Sequence, residues 1–174
     1  MAATIRASYF GGNASEPAGA TAESGIKFNK ADSISGTTPV TKPTATGTNF
    51  TYVKQLALEV TGTGSTTIGT LQVKMGSSPS TGLGLHFLGS ATYLDQTGGT
   101  GAGSDSGSNG ASPSGYSAMT TSYQTYDATT GISTGSTGRK GTFCRVVCGV
   151  DNLYVGGAGT AISLPDVLIQ YTES

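Results

Sequence analysis

The chain has 174 residues, of which 28 are Gly, 28 Thr and 21 Ser, with no Trp, 11% charged residues and a formal net charge of −1. That length suits a single domain spanning 1–174. With nine Lys+Arg against ten Asp+Glu and no basic block, nucleic acid is excluded as a direct partner, because phosphate neutralisation needs clustered cations. No apolar run approaches the ~18–20 residues of a membrane span.

In chain order, Met1 to Arg6 lacks the charged start and apolar stretch of a secretory signal, which predicts synthesis in a cytoplasm. The sequons at Asn13 and Asn49 are then turn chemistry and not glycosylation sites. Ile5, Ala7 and Tyr9 alternate with Arg6 and Ser8, and Ile26 and Phe28 alternate with Lys27 and Asn29, so each predicts a short strand. Asp32 to Asn49 carries Pro39 and Pro43 among Thr, Ser and Gly and predicts an extended arm at 32–49.

The clearest pattern runs from Phe50 to Val60. Phe50, Tyr52, Leu56, Leu58 and Val60 share one face, with Thr51, Gln55 and Glu59 on the other. This predicts an antiparallel strand with one face buried and one solvated. Lys54 interrupts the apolar face, as a residue near a sheet edge or snorkelling outward does. After the turn at Thr61 to Ser65, Leu71, Val73 and Met75 alternate with Gln72 and Lys74, so the two runs predict a hairpin-like pair. Leu83 to Leu88 and Ala91 to Leu94 predict two further strands broken at Gly89-Ser90.

A Gly/Ser-rich loop insertion is expected at about 95–140. Its stretch from Thr97 to Ser114 has too little apolar surface to offset its ordering entropy alone, so it is expected to be mobile until a partner covers it. Tyr116, Met119, Tyr123 and Tyr126 have helical spacing, but Ser and Thr between them are poor helix formers, and a loop pinned by tyrosines is the better expectation. Thr142 to Val150 is β-branched and predicts a strand. Along it Cys144 and Cys148 would lie ~13 Å apart, beyond the ~7 Å limit of a disulfide. They are therefore expected as separate buried thiols sharing a face with Val146 and Val150. Val167 to Tyr171 closes the chain as a last strand.

Seven or eight short strands with Gly, Pro and Ser punctuation predict an all-β fold, an antiparallel β-sandwich of jelly-roll or immunoglobulin-like type with long Gly/Ser/Thr-rich loops. Chemistry is sparse by comparison. His86 is the single histidine, and Leu85 and Phe87 around it predict a partly buried structural role. No nucleophile elbow or phosphate loop occurs, and Asp95, Asp105, Asp127 and Asp151 are dispersed. No residue is nominated as catalytic, cofactor-binding or metal-ligating, and no cofactor is expected.

The layout has a short first strand, Lys30-Ala31-Asp32, a Pro/Thr arm, then Gly47 to Tyr52 leading into the long alternating strand. A Gly/Ser-rich middle and an ending from Ile169 to Ser174 complete it. It resembles the small virion structural proteins of tailed bacteriophages that decorate or cement capsids. The resemblance implies a non-enzymatic protein of the virion, assembled in the host cytoplasm, which binds the outer capsid surface and stabilises capsomer joints. Its implied partners are the major capsid protein or other virion proteins and copies of itself, a trimer being one arrangement, with neither nucleic acid nor membrane. The alternatives are another virion component, such as a neck, tail or head-fibre part, and a carbohydrate-binding or adhesive β-sandwich, against which the absence of Trp counts.

Overall fold

The computed structural model describes residues 2–10, 16, 20–21, 28, 42–94, 114–156, 164 and 166–174. The strands, in chain order, are β1 (Thr4–Phe10), β2 (Ala20–Thr21), β3 (Thr48–Phe50), β4 (Lys54–Gly62), β5 (Thr67–Met75), β6 (Leu83–Ser90), β7 (Ser117–Ala118), β8 (Gln124–Asp127), β9 (Ile132–Ser133), β10 (Gly138–Asp151) and β11 (Val167–Glu173). They form two antiparallel sheets, and no helix occurs among the described residues. The larger has seven strands in the order β2-β1-β4-β10-β6-β7, with β3 also on β10; the smaller has four, in the order β11-β5-β8, with β9 also on β5. The all-β sandwich expected from the alternation is the fold.

The sheets pack through one core. Leu56 and Leu58 of β4, Leu85 and Phe87 of β6, and Cys144, Val146 and Cys148 of β10 meet Ile68, Leu71, Val73 and Met75 of β5. Each fully buried aliphatic side chain here contributes about 1.5–3 kcal/mol relative to exposure. The two cysteines are free and buried on the face of Val146 and Val150, as the strand geometry required.

Several expectations are corrected by this arrangement. β4 and β5 are not a hairpin but belong to opposite sheets. Both edges of β4 are occupied, by β1 and β10, so β5 stacks on it across the core. Phe50 to Val60 is not one unbroken strand either. The ladder is interrupted at 51–53, and the interruption shifts the face by one position. Phe50 packs edge-on against His86, centroids 5.8 Å apart, on the side away from the core, whereas Leu56 and Leu58 point into it. Thr51 and Gln55, expected outside, are 1% and 0% exposed. Thr51 bridges the break: its N–H donates to Cys148 O at 2.9 Å, and its hydroxyl accepts the Cys148 N–H at 3.0 Å. Lys54 is fully buried opposite Val146 and does not snorkel, because its strand is central in the sheet.

Gly89-Ser90 is not a break. β6 runs through both residues, paired with Phe143 and Cys144, and Ala91 to Leu94 forms no strand. The strand expected at Ile26 lies outside the described residues apart from Phe28, which packs against the core. Of the 32–49 arm, residues 32–41 also lie outside them, and its end is not a loop: Thr48 and Asn49 pair with Asp151 and Val150 as β3. Within the expected 95–140 insertion, 95–113 lie outside the described residues, while 114–140 supply β7, β8 and β9 and bury Met119, Tyr126, Asp127 and Thr134. The tyrosine-spaced stretch is therefore loop and short strand, with no helix.

β5 contains a bulge. Gln72 pairs with Gln170 and Gly69 with Thr172, so Thr70 and Leu71 together face the single residue Tyr171. Thr70 has a φ of 47°, the left-handed conformation that inserts such an extra residue. The inserted position brings both Ile68 and Leu71 into the core although they are three apart.

Candidate functional site

Glu59, Asp127, His86, Cys144 and Cys148, which could supply acid, base or nucleophilic chemistry, are tied into the sandwich. On the outer side of the large sheet, Arg6 donates Nε and Nη2 to Glu59 Oε2 at 2.9 and 2.8 Å, and the buried Ser8 hydroxyl donates to the same oxygen at 2.6 Å. Burial alone would raise the Glu59 carboxyl, but the bonds from Ser8 and Arg6 outweigh it and hold the pKa low. A serine that donates to a carboxylate already clamped by arginine is a cross-strand tie between β1 and β4, with no free base to activate it.

Asp127 does similar work between the sheets. It accepts the Thr129 N–H at 2.8 Å and the Thr142 N–H at 2.8 Å. Thr142 lies where the β10–β4 register slips between Lys140 and Cys144, so Asp127 satisfies a backbone donor released from that ladder. Gly141 beside it has a φ of 68°. Burial opposes ionisation of Asp127, and the bonds from Thr129 and Thr142 overcome it, leaving the pKa lowered. A lowered carboxyl pKa contributes stability that is present above the unfolded value and lost as pH falls through the folded one. For Asp127 and Glu59 the ordinary values are 3.8 and 4.5, so this contribution disappears on acidification below about that range. Asp127→Asn is expected to cost about 1–3 kcal/mol at neutral pH, the penalty of a buried donor left without its acceptor. In urea titrations its deficit against the parent should shrink below pH 4; an unchanged deficit there would count against the assignment.

His86 sits half-buried on β6 between Val147 and Ala118, and burial lowers its pKa so that the ring is neutral at pH 7. That is the partly buried placement expected of it. Burial pushes the Cys148 thiol up to about 12 and raises Cys144 as well, so neither is a thiolate nucleophile. Among the described residues no group of three or more His, Cys, Asp or Glu could hold a metal ion.

The outer face of the large sheet is also covered. Gln55 pairs its amide with the backbone of Leu94, Nε2 to O at 2.8 Å and N to Oε1 at 2.7 Å. Phe10, Ala57 and Phe143 form a second apolar cluster beneath Tyr93, with the Arg139 guanidinium 4.3 Å from the Phe143 ring centroid. Arg139 is also paired with Glu16 at 2.6 Å. Arg145 donates Nη2 to Thr92 O at 2.8 Å, while its Nε and the Tyr116 hydroxyl are buried with no hydrogen bond among the described residues.

The small sheet presents the opposite situation. Its outer face carries a ladder across three strands, with Gln170 Nε2 donating to Gln72 Oε1 at 2.6 Å and Gln72 Nε2 to Thr125 Oγ1 at 3.2 Å. Lys74 lies 4.4 Å from the Tyr123 ring centroid beside it, and Leu168 pairs with Lys74. Tyr123, Leu168 and Tyr171 are exposed large side chains of this region. The combination is polar, nearly uncharged and edged by apolar groups, which suits broad contact with another surface better than enclosure of a small molecule. Alternation in Leu71 to Met75 made the outward positions Gln72 and Lys74 readable in the sequence. That this face stays partly exposed among the described residues, while Ala57 and Gln55 on the equivalent face of β4 are covered, had no signal there.

The chain matches no family model, no curated protein and no solved structure.

Proposed function

We propose that this protein is a non-enzymatic structural component of a bacteriophage virion that binds the outer capsid surface and stabilises capsomer joints. The observation that supports this reading best is the contrast between the two sheets. The middle of the large sheet is covered on both faces, and Arg6, Glu59 and Arg139 are engaged in ion pairs. The small sheet offers an open Gln/Thr/Tyr face whose side chains are held in place by their own hydrogen bonds. Preorganised polar side chains lose little entropy on contact, and many weak copies on one shell gain avidity.

The discriminating experiment mixes the purified protein with empty capsids and, separately, with a glycan array. Co-sedimentation with capsids and silence on the array are expected. A variant lacking Gly98 to Ser112 should melt at nearly the parent temperature yet co-sediment less. Loss of folding with normal capsid binding would remove the cementing model. Tyr123, exposed and stacked with Lys74, favours the adhesive alternative, because an aromatic platform is what a sugar ring packs on; array binding abolished by Tyr123→Ala would establish that reading instead.

A further inference from the structure

We infer that β11 is a self-complementary edge through which two copies of this chain pair, antiparallel, to extend the small sheet across a two-fold axis. Among the described residues β11 pairs with β5 alone. Proteins usually blunt such an edge with Lys, Pro, a bulge or brevity. β11 uses none of these devices: Val167–Glu173 is seven residues long and contains no Lys or Pro. The bulge in this part of the sheet belongs to β5, at Thr70. Leu168 and Tyr171 are 39% and 37% exposed along the strand. The other edge of the small sheet, β8, is only four residues long.

The sequence of the strand selects its occupant. Centred on Gln170, an antiparallel pair sets Ile169 opposite Tyr171 of the second copy, Leu168 opposite Thr172 and Val167 opposite Glu173. Aromatic and β-branched side chains meet, and the exposed apolar surface of both copies is covered. Glu173 faces Val167, so the one charged side chain of the strand meets an apolar partner, whereas a parallel pair in register would stack Glu173 on Glu173. A neighbour's 32–49 arm fits less well, because Pro39 and Pro43 have no N–H to give to a ladder. The pairing deepens the proposed capsid role by linking copies laterally, and it uses the strand edge while leaving the Gln72–Gln170–Thr125 face for the shell.

The test uses the full chain at millimolar concentration under mild oxidation. Directly opposed residues in an antiparallel pair have Cα atoms about 4.5–5.5 Å apart, within disulfide reach. Q170C should form a disulfide-linked dimer about tenfold or more faster than T125C on the same sheet face, since opposed thiols react as neighbours and the others only by collision. The buried Cys144 and Cys148 do not compete. Adding Leu168→Glu to Q170C should return the rate to that of T125C. Equal rates for Q170C and T125C would overturn the inference. Suppression of the Q170C crosslink by a peptide of residues 36–49 would also overturn it, in favour of a neighbour's arm. Crosslinking is read on free protein, so its failure is distinguishable from failure to bind capsids.

Discussion

Gly89→Ala is expected to destabilise the domain by about 3 kcal/mol or more, at the upper end of overpacking penalties. A Cβ at Gly89 would lie 1.9 Å from the Tyr126 carbonyl oxygen and 3.0 Å from its carbonyl carbon. Gly89 faces inward from β6, paired with Cys144, at the place where β8 of the other sheet passes closest. Backbone cannot swing away as a side-chain tip can, so the sheets must part locally and the Tyr126 and Phe87 packing goes with them. Against a total stability of about 5–15 kcal/mol this is a large fraction. Gly84→Ala on the same strand is the control. Its Cβ would meet only the His86 ring nitrogen, at 3.4 Å, and its melting should stay close to the parent's. Equal denaturant midpoints for the two variants would show that the close approach at Gly89 is misplaced.

Leu58→Ala is expected to cost about 2–5 kcal/mol, the range for emptying a buried leucine site. Leu58 is 3% exposed and packs into the core between the sheets. Leu153, 62% exposed, should tolerate the same change within about 0.5 kcal/mol. The more telling comparison is with Ala57. An alternating strand with one wet face would accept a glutamate there, but Ala57 is fully buried beside Phe10 and Phe143. Ala57→Glu should therefore be at least as damaging as Leu58→Ala, since it buries a charge with no partner provided for it. Urea midpoints of the three variants decide the matter, and a mild Ala57→Glu would mean that the outer face of the large sheet is open.

What the sequence determined by itself was local: the period of two. The alternation in Leu56 to Val60, Leu71 to Met75 and Cys144 to Val150 determines which side chains go inward, because successive side chains of a strand point to opposite faces. The sandwich and the separation of the two thiols follow from that. Pairing is a property of strands distant in the chain, and alternation carries no information about it. β4 and β5, adjacent in sequence with a turn between them, went to different sheets because β1 and β10 took both edges of β4. The same non-local choices decided which polar groups were buried. Thr51 is internal because it replaces ladder bonds at a break, and Gln55 because Leu94 returns over it. Asp127 is internal because a slipped register in β10 leaves the Thr142 N–H in need of an acceptor. An outward position in a strand becomes solvated surface only if nothing else in the fold covers it. In this protein that holds for the small sheet and fails for the large one, and only the tertiary structure could tell the two apart.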